Sequence, residues 1–378
     1  MNHWDEAKKY LINGTGTLSK MWTAYTDSAP SHLLHQQGII IVTGDDDLYI
    51  DWVGALGANL DNFGVSMSLP SIFEITAAKL LCERFPIDKV KILKSGSAAC
   101  AAAVRIARAY TGHKWVYGMG YHGFLEPFIA AEEPGAGCVP GFYQKFQSIK
   151  EMLNIIDING HSVAAVIVEP VMLDNSQEWI SEIKHLRRVC HKKGILFIAD
   201  EIITGDRYHD YSVCKHYDLN PDIMCLGKAL AGGHAIGVVG CKRGMADMVE
   251  SKGIFISTTF SGVVNDLTAM INHLQNWTEV DIEILWLRGE RLMKCFNRID
   301  SRVQLTGYPT RMSWIAEDRL LAAFFDGMLS RGHLLGKAFF ISSGHTDDII
   351  NNFLDDASTV LSGPMDYNGR LPQPAFKR

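Results

Sequence analysis

No run of apolar residues in this chain approaches the ~20 uncharged positions needed to cross a bilayer. The opening Met1-Asn2-His3-Trp4-Asp5-Glu6 has neither the basic start nor the apolar stretch of a secretory signal. The eight cysteines include no C-x-x-C pair and sit in apolar company, as in Val189-Cys190 and Met224-Cys225-Leu226. Reduced, buried thiols in a cytoplasmic protein are therefore expected, with no disulfide framework and no metal site. Positive charge is not in excess. With 36 Lys and Arg against 42 Asp and Glu, the net charge is −6, so bulk electrostatics give no attraction to nucleic acid or anionic lipid. Low-complexity tracts and internal repeats are also missing. What remains is a chain of 378 residues, 47% hydrophobic and 21% charged, with material for a large core.

Residues 1–45 read as a helix, then an irregular Gly/Thr/Ser stretch over 13–20, then strand candidates at Gly38–Thr43 and Leu48–Trp52. Gly44 and the three aspartates after it have turn composition, which predicts a hairpin. From about 71 to 245 strands alternate with helices. The expected helices are Ile72–Arg84, Ala98–Tyr110 and Ile180–Lys193. The expected strands are Lys89–Leu93, Val163–Val168, Ile195–Ala199, Ile223–Leu226 and Ile236–Gly240. Short, wholly apolar strands between helices imply a doubly wound, mostly parallel sheet covered on both faces. The last hundred residues, with helices at Ile282–Asn297, Glu317–Arg331 and Thr346–Leu361, suggest a smaller α+β domain.

In an open parallel sheet, ligands bind beyond the carboxyl ends of the strands, so the polar residues there carry the interest. After Lys89–Leu93 comes Ser95-Gly96-Ser97 at the start of a helix, a turn that suits a phosphate but also serves as a plain helix cap. After Ile195–Ala199 comes Asp200-Glu201-Ile202. A carboxylate at the end of a buried strand needs a cation, a metal or a capping role. After Ile223–Leu226 comes Gly227-Lys228-Ala229, a lysine between apolar residues and glycines. Desolvation there would lower its pKa and make it a nucleophilic amine.

In this order and spacing the motifs resemble the class III (subgroup II) aminotransferases of pyridoxal-5'-phosphate (PLP) fold type I, nearest the glutamate-1-semialdehyde aminomutase-like branch. The resemblance covers about residues 14–361. It implies a phosphate cup at Ser95, Gly96 and Ser97, and an aromatic turn at Tyr121-His122-Gly123 whose ring stacks on the pyridine. It implies a strand-end Glu-Pro at Glu169-Pro170, and Asp200 bound to the pyridine nitrogen with Ile202 packed on the ring. Lys228, 28 residues after Asp200, would carry the cofactor as a Schiff base. Thr259 in Thr259-Phe260-Ser261-Gly262 would reach the phosphate of a partner subunit's cofactor, which implies a homodimer.

Departures from the family pattern concern substrate. Thr17-Leu18-Ser19-Lys20 resembles a variant seen in relatives thought to act on sugar-derived substrates. Lys20 stands where the aminomutase branch has a carboxylate-binding arginine. Ala98 stands in place of the acidic residue usual in the phosphate cup, and Lys337 stands where the aminomutase branch has a glutamate, the latter swap favouring an anionic substrate. Thr17, Lys20, Glu169 and Lys337 are the substrate candidates. The expectation is an α/β, fold type I PLP enzyme that moves an amino group between a small amino donor and a carbonyl acceptor. A decarboxylase or aminomutase is the alternative, and a non-catalytic binding protein stands behind that. Residues 1–45 are expected to pack with the small domain, 46–270 to form the large PLP-binding domain, and 271–378 to form the small domain.

Overall fold

The computed structural model describes residues 3–16, 30, 32–37, 40–44, 47–50, 69–132, 137–139, 141–367, 369 and 371. These group into two compact units, one of residues 1–170 with 181–277, the other of 171–180 with 278–378.

The first unit begins with helix α1 (His3–Tyr10) and a small antiparallel sheet of β1 (Leu33–Gln37), β2 (Ile40–Thr43) and β3 (Leu48–Ile50). β2 and β3 form the expected hairpin, while β1 has no counterpart in the sequence reading. There follow α2 (Ile72–Arg84), β4 (Lys89–Leu93), α3 (Gly96–Thr111), β5 (Trp115–Met119), α4 (Ile129–Glu132), β6 (Tyr143–Lys145), α5 (Ile149–Asn159) and β7 (Val163–Val168). Then come α6 (Gln177–Lys193), β8 (Leu196–Asp200), α7 (Val213–His216), β9 (Ile223–Gly227), β10 (Gly237–Cys241), α8 (Arg243–Ser251) and α9 (Val264–Asn276). Seven of these strands form one sheet in the order β4-β10-β9-β8-β7-β5-β6. β10 alone runs antiparallel to its neighbours.

The sequence dictates this arrangement. Every residue of β4, β7, β8, β9 and β10 is buried, as expected of strands covered on both faces. α3 is nearly all alanine on its inner side, so Ala99, Cys100, Ala103 and Ala107 bring its axis close to the sheet in one core with Ile167, Ile198, Cys225 and Val239. Ser95 caps it, accepting the Ala98 N–H at 3.1 Å.

The N-terminal segment is a correction to the expectation. Residues 3–16 group with the first unit, whereas the expectation placed them with the C-terminal domain. The reason lies in β4, the edge strand, whose exposed edge has to be covered. Leu11 bridges Val90, and Trp4, Ala7, Leu11 and Ile12 are buried. Lys91 of β4 points to this segment, donating to Thr15 O at 2.7 Å and to Ile12 O and Asn13 Oδ1 at 3.4 Å. Beside it the buried Glu74 accepts Gly16 N–H at 2.9 Å and Thr15 Oγ1–H at 3.1 Å.

The second unit packs α10 (Glu279–Phe296), α11 (Asp318–Leu329) and α12 (Asp347–Ser362) with an antiparallel sheet of β11 (Gln304–Tyr308), β12 (Arg311–Ile315) and β13 (Ala338–Phe340). Phe296, Trp314, Phe324 and Phe353 cluster at its centre. Among the described residues no helix is long and apolar enough to cross a membrane.

Burial pushes the Lys91 ammonium down to about 8, against the opposing pull of Glu74 and Glu250. The unfolded lysine keeps its ordinary value of 10.5, so over this window the unfolded chain binds more protons and stability rises with pH. We expect the unfolding free energy of the wild type, relative to Lys91→Met, to increase from about pH 8 to about pH 10 in urea titrations. A pH-independent difference would contradict this account.

Candidate active site

The ends of β4, β8 and β9 lie near one another, since a Cβ on Gly96 or on Gly227 would fall 2.7 Å or 3.5 Å from Ile202 side-chain atoms. Asp200, the last residue of β8, is 3% exposed. Its Oδ2 receives His122 Nδ1 at 2.8 Å and the Cys100 thiol at 3.4 Å, and its Oδ1 accepts the Ile202 N–H at 3.1 Å. The partners are an imidazole, a thiol and an amide, none of them lysine or arginine. His122 is itself buried, fixed by an edge contact with Phe128, and its Nε2 has no hydrogen-bond partner.

The ligand atoms of Cys100, His122 and Asp200 lie within 4.8 Å of one another. The Cys100 thiol is pushed well above its ordinary range by burial, by its contact with Cys225 and by the charge of Asp200. It therefore acts as a neutral donor and not as a thiolate.

The next residue faces the other way. Glu201, fully buried, accepts Ser212 Oγ–H at 2.7 Å, Cys214 N–H at 2.8 Å, Val213 N–H at 2.9 Å and Thr204 Oγ1–H at 3.0 Å. It caps α7 from a distance and closes the loop 204–214.

Ile202 packs over the turn Ser95-Gly96-Ser97, where a Cβ on Gly96 would lie 2.7 Å from its Cδ1. A Cβ on Gly237, at the start of β10, would fall 2.1 Å from Ser95 O, so glycine is required for the two backbones to cross. Gly123 likewise abuts Ser97. The Tyr121 N–H donates to Glu169 Oε1 at 3.0 Å, so the 6%-exposed Glu169 braces the aromatic turn.

Lys228 departs from the expected desolvated amine. β9 ends at Gly227, and a single turn of 3-10 helix, Lys228–Ala231, lifts the chain away, leaving Lys228 exposed with φ of 48°. A side chain held in this left-handed region stores about 1–3 kcal/mol, a strain found at functional sites.

Thr259 is exposed on the turn 259–262, which Ser261 ties to the end of β4 through a hydrogen bond to Ile92 O. Thr17 and Lys20 lie outside the described residues. Lys337 belongs to the second unit, exposed and 3.5 Å from Asp318 Oδ1.

Two groups escaped the sequence reading. Cys100 sits one helical turn beyond the phosphate-cup residues, a spacing visible in hindsight. Lys94, Asp266 and His234 form an ion cluster, with His234 Nδ1 2.8 Å from Asp266 Oδ1 and Lys94 on Oδ2. Partial burial pushes the Asp266 carboxyl up, but the hydrogen bonds from Lys94 and His234 outweigh it and hold it low. The cluster joins the turn after β4, the loop after Lys228 and α9.

Residues 111–281 match the family model described as Aminotransferase class-III. Among curated relatives, the glutamate-1-semialdehyde 2,1-aminomutase of Desulforapulum autotrophicum is 27% identical, covering 95% of this chain and 97% of the relative. That of Bacillus subtilis is 26% identical, covering 94% and 96%. Among solved structures, a β-phenylalanine aminotransferase from Variovorax paradoxus superposes with a TM-score of 0.72 at 19% identity, over 95% of this chain and 92% of that one. A glutamate-1-semialdehyde aminomutase from Pseudomonas aeruginosa gives 0.69 at 18%, over 95% and 93%. The class III aminotransferase match thus spans residues 111–281, and the chain is a PLP-dependent enzyme with the α/β architecture of fold type I.

The crossing at Gly237 yields a direct test. Gly237→Ala forces the Ser95 carbonyl aside, which should lower stability by about 1–3 kcal/mol, read as a fall in the urea midpoint. An unchanged midpoint would show that the turn yields freely.

Proposed function

We propose that this chain transfers an amino group between a small amino donor and a carbonyl acceptor, with pyridoxal 5'-phosphate carried on Lys228 and its ring nitrogen against Asp200. The environment of Asp200 supports this most. A buried carboxylate surrounded by a thiol, an imidazole and an amide calls for a cation, and a protonated pyridine nitrogen fits that need. When bound, the cofactor supplies an electron sink for the charge that develops on the substrate carbon bearing the amino group.

The protein's own groups then divide the work. Asp200 holds a proton on the ring nitrogen. The first turn of α3 offers N–H groups with no intrahelical partner, which together with Ser95 and Ser97 would bind the phosphate. Tyr121 and Ile202 would bracket the ring, with His122 behind Asp200. Lys228 Nζ would also be the base that moves the proton at the substrate carbon. Its exposure keeps it accessible for that step. Lys20 and Lys337, with Thr17 and Glu169, are the candidates for substrate recognition, and the two lysines favour an anionic substrate.

Thr259 is proposed to donate to the phosphate of the cofactor in a partner subunit, which makes the working enzyme a homodimer. The turn that carries it is exposed and anchored to the phosphate-cup strand by Ser261.

A second reading, aminomutation, is favoured by the names of the relatives at 26% and 27% identity. The two differ in product. Aminotransfer gives a carbonyl compound from the donor and an amine from the acceptor, whereas aminomutation gives one isomer of unchanged mass. Incubation with amino donors and with glutamate 1-semialdehyde, followed by mass spectrometry, separates them.

Borohydride reduction of the purified protein should fix PLP on Lys228, as read by peptide mapping. An adduct on another lysine would overturn the assignment. Asp200→Asn should bind PLP yet turn over on the order of 10²-fold more slowly or worse, because an unprotonated ring nitrogen is a poor electron sink. Thr259→Ala should weaken PLP by about one to two orders of magnitude, the equivalent of one hydrogen bond to a charged group. Sedimentation with and without PLP should show dimerisation linked to occupancy. A monomer fully loaded with PLP would rule out the cross-subunit contact.

A further inference from the structure

The hydrogen bonds at Asp200 are unevenly divided between its two oxygens. A carboxylate has about four acceptor positions, two on each oxygen. On Oδ2 both are taken, by His122 Nδ1 at 2.8 Å and Cys100 Sγ at 3.4 Å. On Oδ1 one is taken, by the Ile202 N–H at 3.1 Å. We propose that Cys100 is a positioning residue for Asp200: with His122 it fills Oδ2, so the acceptor position left open, on Oδ1, is the one presented to the ring N–H of the cofactor. The inference rests on the assignment of Asp200 to the ring nitrogen.

The surroundings explain why a thiol does this. Cys100 is completely buried and shares the core with Ala103, Cys225 and Val239. A hydroxyl there would bring acceptor lone pairs needing partners, whereas a thiol packs as a small hydrophobe and still offers one donor. Its proton is secure. Burial, the Cys225 contact and the charge of Asp200 all oppose ionisation, so the donor does not become a second anion beside the carboxylate. The position is rigid as well, because Cys100 lies in the body of a capped sixteen-residue helix. In a dry site a hydrogen bond to a charged acceptor is strengthened, which lifts a weak S–H donor to mechanical importance.

Without this donor the carboxylate is free to turn about its broad terminal torsion and becomes more basic. The first test reads the bond directly. The infrared S–H stretching band of purified protein, assigned by subtraction of Cys100→Ala, should lie below that of a free thiol and move back toward it in Asp200→Asn. A band at the free-thiol position overturns the proposal whatever the cofactor does.

The second test uses the loaded enzyme. Cys100→Ala should lower kcat roughly tenfold with KM for the amino donor unchanged, and should shift the pH midpoint of the visible cofactor band. Cys100→Ser, which keeps a donor, should restore both. If Asp200→Asn loses turnover while Cys100→Ala matches the wild type in kcat and pH midpoint, the proposal fails and the ring-nitrogen assignment stands. If Asp200→Asn itself turns over normally, that assignment fails, and the role of Cys100 with it.

Discussion

A carboxylate held in the dry interior of a protein with no lysine or arginine among its described partners is an unfinished interaction, and much of the first unit is arranged around one. Asp200 sits where β8 leaves the sheet, with His122 and Cys100 converging on it from the aromatic turn and from α3. A buried charge of this kind is tolerated only when its hydrogen bonds are supplied and its countercharge arrives. The protein supplies three donors. On the proposed function the countercharge would come from a protonated pyridine, so the site is specified by a deficit as much as by any residue present.

The same economy of position governs Glu201. Adjacent residues leaving a strand point to opposite sides, and the chain uses both. Asp200 turns toward His122 and Cys100, while Glu201 turns away from them and gathers four donors from the loop 204–214. One dipeptide thus defines the site and fastens the loop beneath it.

Five of the sheet's seven strands were legible in the sequence because they are short, mostly apolar and followed by polar turns. Lys89–Leu93, Val163–Val168 and Ile72–Arg84 have the boundaries that periodicity gives them. β6 was not legible, because Tyr143–Lys145 is three residues long and only its first is buried. The direction of β10 was hidden too, since an apolar strand reads the same in either sense. At the site, strand-end placement singled out Ser95, Asp200 and Lys228. It gave the wrong environment for Lys228, because neighbouring apolar residues do not bury a side chain when the turn itself leaves the sheet. Cys100 was invisible for a different reason. Its contact joins residues 100 positions apart, and only folding brings them together.

The antiparallel sense of β10 separates two variables that a wholly parallel sheet would join. Gly227 and Gly237 stand opposite each other in register, so the loop carrying Lys228 leaves and re-enters the sheet at the same place. A loop with fixed, adjacent ends changes length at little entropic cost and without shifting its stems. The loop 228–236 can therefore lengthen or shorten between related sequences while Asp200, on the neighbouring strand β8, keeps its place.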